Sequence, residues 1–445
     1  MKLKNQMILR LFVLLLNTFI IIFNVAFKNY SQQFNIIIAF YVLALSIYIT
    51  FKSRNNIAIF IMMLFITYCN YSILYGRYIN PSIAQINEVI RSTYYDGVAI
   101  NVMLLFMTTI YCFLKPINKV DLSAGFLMSE KRTNRIITWG AMGIIVIISL
   151  LFYTPDIGNG RAGYSPIYEY SIIFFILGLY YSGKRSTYTV KVFIILLFLY
   201  VIRDFIGGHR VPGLQVLIVY FLFFIMHKID YKKVIILSII GIVIMSTLSI
   251  YRSSLILGDF SIISGFGNVS KNKFAFDTAY AAYLTSLTFV ATKDLYSVIE
   301  RAGHFFNFLA SQLIIGTVGE SIIQISRKHF FHVNGGVLPI YLFYYIGWIG
   351  TLLAGILVTF YLNFVKSVDE HSSGLKKVLT VYIVATVPRW YLYSPNQLLR
   401  GVLLMTIVYW ITTIINSIIP RKSISIRNNQ GNYGKKERFN HGISN

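Results

Sequence analysis

The chain has 445 residues, of which 56 % are hydrophobic and only 13 % are charged, and its mean hydropathy is +0.65. Because about a quarter of the residues of a soluble protein are charged, this composition excludes that class, together with disordered and disulfide-rich chains. The 40 Lys and Arg residues outnumber the 16 Asp and Glu residues, which leaves a formal net charge of +24. In a chain solvated by lipid such an excess first sets orientation, so we expect a membrane protein and no nucleic-acid partner.

Apolar runs of about 17–25 residues, the length of a membrane-crossing helix, recur along most of the chain. They predict an all-α, polytopic membrane protein with about 12 transmembrane helices, at residues 8–27, 34–51, 57–75, 97–114, 136–153, 166–182, 188–202, 211–226, 234–250, 337–365, 378–394 and 401–419. The first run carries Asn17 and Asn24 and no small-residue cleavage site follows it. We therefore predict a membrane helix there and not a signal peptide.

These spans divide the chain into four parts. Residues 1–250 hold the first nine helices, 251–336 form one long loop, 337–420 hold the last three helices, and 421–445 form a polar tail predicted to be disordered. Two apolar stretches of the loop, 279–292 and 305–319, are too short to span a bilayer. They predict short interfacial or re-entrant helices.

The positive charges differ between the two faces that this arrangement creates. One face, which includes both termini, has 17 Lys and 8 Arg, and the other has 5 Lys and 10 Arg. Because positive loops stay inside, both termini are predicted to be cytoplasmic and the long loop periplasmic, in a bacterial inner membrane.

The outer face is unusual in its preference for arginine. Its arginines are Arg77, Arg91, Arg161, Arg203, Arg210, Arg252, Arg301, Arg327, Arg389 and Arg400. Orientation alone predicts no such preference, whereas the planar guanidinium binds phosphate at two points. The bias indicates a phosphate-bearing ligand, and the alternative is pairing with the external carboxylates or with lipid headgroups.

The predicted depth of each arginine in the membrane indicates which arginines are the stronger candidates for binding a ligand. The short spans 188–202 and 211–226 predict that the connecting segment from Arg203 to Arg210 dips toward the membrane, helped by two glycines. Arg389 follows Pro388 about two-thirds of the way across the bilayer, where a charge is usually paired or functional. The alternative for Arg389 is an ion pair with Asp204 or Glu169.

Candidates for acid–base chemistry lie in the long loop. His332 is the preferred general base, with Glu320 as the second choice, because histidine is neutral and available near pH 7. The alternatives are a hydrogen-bonded interfacial histidine and a carboxylate that only pairs with a helix dipole or an arginine. Cys69 and Cys112 lie inside spans, and neither a metal nor a cofactor is expected.

Two segments and the topology carry a resemblance to a known family. The segment Gly207-Gly-His-Arg-Val-Pro-Gly-Leu214, the stretch Tyr345-Ile-Gly-Trp-Ile-Gly350 and the late outer loop resemble the bacterial Wzy-type O-antigen and capsular polysaccharide repeat-unit polymerases. The resemblance implies transfer of a glycan from undecaprenyl pyrophosphate to a sugar hydroxyl of another lipid-linked repeat unit. It also implies membrane lipid and a chain-length regulator protein as partners.

The depth of the arginines and the reaction that the resemblance implies together predict roles for the outer residues. The pyrophosphate would be bound by Arg203, Arg210 and Arg389, with secondary contacts from Arg161, Arg252 and Arg327. His332 or Glu320 would take the proton of the acceptor hydroxyl.

Three other functions stay open. An O-antigen ligase would move the glycan to lipid A core and shares this topology. A lipid-linked oligosaccharide flippase would carry its cations in a central cavity. A membrane acyltransferase would favour an Arg/His pair near the first helices, where the first outer loop offers only Lys28.

Overall fold

The computed structural model describes residues 2–28, 30–80, 88–117, 127, 133–153, 165–183, 187–207, 209–256, 278–313, 318–331 and 335–418. All regular structure in these ranges is helical, which confirms the predicted all-α class. The helices are α1 (Lys2–Phe27), α2 (Gln32–Lys52), α3 (Ile57–Leu74), α4 (Glu88–Arg91), α5 (Thr93–Phe113), α6 (Arg135–Leu151), α7 (Pro166–Glu169), α8 (Ile172–Tyr181), α9 (Tyr188–Ile206), α10 (Arg210–Tyr220), α11 (Tyr231–Ile256), α12 (Thr278–Leu295), α13 (Val298–Leu313), α14 (Ile322–Arg327), α15 (Leu338–Lys366), α16 (Gly374–Ala385), α17 (Val387–Leu392) and α18 (Asn396–Ile418). The tail 421–445 lies outside the described residues.

Several of these helices are long and apolar enough to cross a membrane. Within the described residues there are seven by length and composition, namely Ile8–Phe27, Gln32–Lys52, Ile57–Ile79, Thr93–Phe113, Arg210–Lys228, Leu338–Lys366 and Asn396–Ile418. The other five predicted spans coincide with α6, with α7 and α8, with α9, with α11, and with α16 and α17. The chain is therefore a multi-pass membrane protein by these criteria.

Helix α5 is the centre of the bundle, and its side chains are buried from Asp96 to Tyr111. It packs against α1, α2, α12 and α15. Asn17 and Asn24 of α1 donate hydrogen bonds to Thr108 (2.7 Å) and to Asn101 (3.0 Å). Polar pairs of this kind hold apolar helices together where lipid offers no competing partner.

The first apolar stretch of the long loop packs inside the bundle. It forms α12, which packs against α3, α5 and α15 and is buried along nearly its whole length. Small and hydroxyl residues allow this close packing because their hydroxyls bond to nearby backbone. Ser286, for example, donates to the carbonyl of Ala282 (2.9 Å) and accepts from the amide of Val337 (2.8 Å). The same polar residues lower the hydropathy, which is why the sequence pattern predicts no membrane span here, and the choice between an interfacial and a re-entrant helix stays a prediction.

The second stretch forms α13, an amphipathic helix with an exposed apolar face. Ile299 and Phe306 are 85 % and 69 % exposed, whereas Phe308 and Ser311 are buried. Helix α13 begins seven residues before the predicted stretch, and its position at the membrane interface stays a prediction.

Helix α15 is broken inside the stretch Tyr345–Gly350. Ile346 is non-helical, and Gly347 has φ 62° and ψ −142°, a conformation that is essentially restricted to glycine. A break frees backbone carbonyls of the preceding turn. One of them, on Tyr344, accepts a hydrogen bond from the buried guanidinium of Arg301 in α13 (3.2 Å). This hydrogen bond therefore connects the break in α15 to α13 of the long loop.

Candidate functional site

A partly buried arginine–carboxylate pair lies where α7, α17 and α18 meet. The guanidinium of Arg389 contacts both carboxylate oxygens of Glu169, through Nε to Oε2 (3.3 Å) and through Nη2 to Oε1. The side chains are 18 % and 15 % exposed. Gln397 donates to the same carboxylate (3.0 Å), and the Tyr393 ring lies 5.0 Å from the guanidinium carbon. The guanidinium is therefore held in one orientation and remains accessible.

The local sequence explains why Arg389 lies in a short helix between α16 and α18. Helix α16 ends at Ala385, and α17 is a single short helix that carries Pro388 in its first turn, a position that suits proline. Helix α18 then begins at Asn396. The hydroxyl of Tyr382 donates to the side-chain oxygen of Gln397 (2.9 Å), which leaves the amide nitrogen to face Glu169. The ends of α16 and α17 and the start of α18 thus bring Arg389 and Gln397 together.

Three consecutive residues, Tyr168, Glu169 and Tyr170, connect this pair to other charged groups. The hydroxyl of Tyr168 donates to the buried carboxylate of Asp204 in α9. Tyr170 lies close enough to Arg400 to interact with its charge. Arg400 in turn donates through Nε to the carbonyl of Ser311 at the end of α13 (2.8 Å). We call Arg389, Glu169, Gln397 and Arg400 the arginine cluster.

The structure differs from the predicted loop at Arg203. Helix α9 continues through Ile206, so Arg203 lies in its last turn and not in a dipping loop. Its guanidinium stacks 4.0 Å from the centre of the Tyr153 ring, and the hydroxyl of Tyr153 donates to the Arg203 carbonyl (3.0 Å). These contacts let the helix carry a cation beyond the predicted end of the span.

Arg210 opens α10, with Pro212 in the first turn as the sequence indicated. Its Nη1 donates to the carbonyl of Met245 in α11 (3.3 Å). Arg203 precedes Asp204, whose carboxylate accepts from Tyr168 beside Glu169, whereas the contact with Met245 directs Arg210 toward α11.

The remaining predicted site residues have different outcomes. Arg161 and His332 lie outside the described residues, and Arg252 lies in α11 with a side chain outside the description. Arg327 is exposed at the end of α14. Glu320 is exposed and forms an ion pair with Lys328 (2.5 Å). The roles proposed for these residues remain predictions.

Two described histidines of the long loop join a group of tyrosines. His304 Nδ1 lies 2.7 Å from the Tyr344 hydroxyl, and His329 Nε2 lies 3.0 Å from the Tyr296 hydroxyl. Burial lowers the pKa of His304, against the opposing effect of Glu300 and Glu320. A lowered pKa favours the neutral imidazole, which is the form that a general base requires.

A second arginine–carboxylate pair was not predicted as a unit. Arg77 contacts the buried Asp96 (3.1 Å), which also accepts hydrogen bonds from Tyr78 (2.7 Å) and Tyr283 (2.8 Å). Asp96 lies in α5, Tyr283 in α12, and Arg77 and Tyr78 in the π-helical segment Tyr75–Ile79 that follows α3, so no regular spacing connects the three elements. The tyrosine that directly follows Arg77 in the sequence, Tyr78, was the one sign that this arginine has polar partners. Asp96 has its partners within the bundle, which indicates a structural role.

The arginine cluster has the chemistry of an anion site. Arginine forks and an amide donor suit the oxygens of a phosphate. Helix α13, whose Ser311 carbonyl accepts from Arg400, also carries His304. Comparisons with protein-family models, with curated proteins and with solved structures find no match for this chain.

Proposed function

We propose that the protein is a membrane glycosyltransferase that polymerises undecaprenyl-pyrophosphate-linked oligosaccharide repeat units into O-antigen or capsular polysaccharide. The observation that carries this proposal is the accessible two-point pair of Arg389 with Glu169, beside Arg400. A guanidinium oriented for a carboxylate is also oriented for a phosphate, which presents oxygens in a similar arrangement.

The proposed reaction breaks one bond, forms another and moves one proton, and different residues assist each of these steps. The bond between the anomeric carbon and the pyrophosphate oxygen breaks, and the oxygen keeps the electron pair. A bond forms between that carbon and the acceptor hydroxyl, whose proton passes to a base. Arg389 and Arg400 stabilise the charge that develops on the leaving pyrophosphate, with Arg203 as a further cation. His332, Glu320 or His304 would take the proton.

The proposal includes the membrane topology. Twelve spans with both termini in the cytoplasm place the arginine cluster and the long loop on the periplasmic side of the inner membrane. The excess of Lys and Arg at the other face supports this orientation.

A gene deletion followed by a polysaccharide gel tests the function. A polymerase deletion leaves surface glycan with a single repeat unit, and plasmid-borne wild type restores the ladder. We expect Arg389→Ala to restore at most single repeats. Arg91→Ala, which removes an exposed arginine of α4, is the matched control and should restore the full ladder.

Each other outcome identifies a different function. Loss of surface glycan with retained lipid-linked polymer indicates a ligase, and repeat units that stay in the cytoplasm indicate a flippase. A normal ladder from inserted and expressed Arg389→Ala protein contradicts the assignment of the site.

A further inference from the structure

A cavity of about 270 Å³ lies between α1, α2 and α5, at the end of the bundle where α5 finishes. Two cations, three aromatic rings and one leucine form its walls: Arg10, Lys52, Tyr48, Phe51, Tyr111 and Leu9. Helix α15 ends beside α5 on this side, as the bond from the Lys115 amide to Asn363 shows (3.1 Å). The cavity is therefore at the opposite end of the bundle from Arg389, which the bond from the Gly336 amide to the Leu392 carbonyl places near the start of α15.

Arg10 is fixed at the wall of this cavity. Its Nη1 donates to the carbonyl of Cys112 (3.1 Å), and the thiol of Cys112 donates to the carbonyl of Arg10 (3.4 Å). Its Nε is buried and has no hydrogen-bond partner among the residues that the structure describes. A buried donor of a charged group without an acceptor is costly, which favours an acceptor supplied by a ligand.

Lys52 supplies the second cation. Its ammonium nitrogen lies 5.6 Å from the ring centre of Tyr48 and 5.7 Å from that of Tyr111, and Arg10 is close enough to act on its charge. Within the described part of the chain, no carboxylate lies in ion-pair distance of either cation. Two neighbouring like charges at a bilayer surface repel each other until an anion binds between them.

We propose that this cavity binds a phosphate-bearing ligand, either the headgroup of an anionic phospholipid or free phosphate. The surroundings favour the lipid, because Leu9 and Phe12 of α1 are 51 % and 60 % exposed and offer an apolar surface for acyl chains. Basic pockets between membrane helices bind anionic headgroups in the same way. This site is independent of the arginine cluster and of the proposed reaction.

Binding of defined probes to the purified full chain in neutral detergent tests the proposal. Dioctanoyl phosphatidylglycerol, dioctanoyl phosphatidylcholine and sodium phosphate are titrated separately, and bound ligand is counted by native mass spectrometry. We expect phosphatidylglycerol to bind more tightly than phosphatidylcholine. Lys52→Gln and Arg10→Gln should each weaken phosphatidylglycerol binding about fivefold, since a cation near a membrane surface contributes about that factor. Lys115→Gln, an exposed charge at the same end, should leave it unchanged.

The probes separate the two sources. Binding of phosphatidylglycerol that depends on Lys52 and Arg10 supports a lipid site, and equally dependent binding of sodium phosphate alone supports a free-phosphate site. Equal binding of both lipids, or phosphatidylglycerol binding that survives in both variants, overturns the proposal. Lys52→Arg keeps the charge and should retain binding, which separates loss of the site from misfolding.

Discussion

At the scale of single residues, the pair of Arg389 and Glu169 has two roles that are separable. The ion pair joins α17 to α7, and the oriented guanidinium of Arg389 is the anion site of the proposed function. Its limited exposure places it between a surface pair, which contributes little, and a buried pair, whose disruption is costly. Glu169 in this arrangement is a positioning residue that holds the guanidinium until a ligand competes for it.

The strength of this pair can be measured with a double-mutant cycle. We expect Arg389→Gln and Glu169→Gln to show a coupling energy of about 1–3 kcal/mol, because the pair is partly shielded from water. The control pair is Lys328 and Glu320, whose side chains are 55 % and 50 % exposed, and it should couple by about 0.5 kcal/mol or less. The free energy of unfolding in an SDS titration provides the readout. Equal coupling in the two pairs would show that Glu169 does not hold Arg389.

His304 makes the stability of the protein depend on pH. Its pKa in the folded chain lies below the ordinary value of about 6.5, because burial disfavours the imidazolium. Below pH 6.5 the unfolded chain therefore binds more protons, so stability is full above this pH and falls as pH decreases toward the folded pKa.

The comparison of wild type with His304→Asn isolates this effect. Melting temperatures between pH 7.5 and 5.5 should fall less in His304→Asn than in wild type. His371→Asn, at an exposed site between α15 and α16, should follow the wild-type profile. Parallel profiles for all three proteins would exclude His304 as the group responsible.

At the scale of elements, the break in α15 depends on one glycine. Gly347 adopts φ 62° and ψ −142°, and no atom of the described residues lies within 4 Å of where a β-carbon would be. The cost of Gly347→Ala is therefore backbone strain alone, about 1–3 kcal/mol. Gly140→Ala, in the regular helix α6 with equally open surroundings, should instead stabilise by about 1 kcal/mol.

The two glycine variants form a matched pair. Their free energies of unfolding in the same SDS titration should change in opposite directions. A stabilising effect of Gly347→Ala would mean that α15 is continuous through the Tyr345–Gly350 stretch, and the bond from Arg301 to Tyr344 would then need another explanation.

The sequence could predict elements better than their contacts. Hydropathy located α5 and α15 because long apolar runs form most of both helices, and the predicted depth of Arg389 led to Glu169 as one of two partners considered for it. It did not count α12 among the spans, because threonine, serine and alanine lower hydropathy while permitting close packing. It ended α9 too early because Arg203 and Asp204 are charged, and their partners Tyr153 and Tyr168 are distant in the chain.

At the scale of the whole molecule, two sets of contacts join different ends of the helices. The arginine cluster joins the ends of α7, α13, α17 and α18, whereas the bond between Lys115 and Asn363 joins the opposite ends of α5 and α15. The sequence assigns these two groups of residues to opposite faces. The number of crossings remains a proposal beyond the seven qualifying helices.

Single cysteines test the orientation directly. In a variant without Cys69 and Cys112, Glu320→Cys should react with an impermeant maleimide in intact spheroplasts, because it is exposed in the proposed periplasmic loop. Glu370→Cys, equally exposed in the loop after α15, should react only after lysis. The reverse pattern would invert the topology and place the arginine cluster in the cytoplasm.

The most direct measurement of the proposed function uses the purified protein in nanodiscs with lipid-linked repeat units as the only sugar source. Mass spectrometry should detect products of two and more repeats, one undecaprenyl pyrophosphate released for each bond formed, and no product from Arg389→Ala at equal folded protein. Absence of product from the wild type, or equal product from wild type and Arg389→Ala, would contradict polymerisation at the arginine cluster.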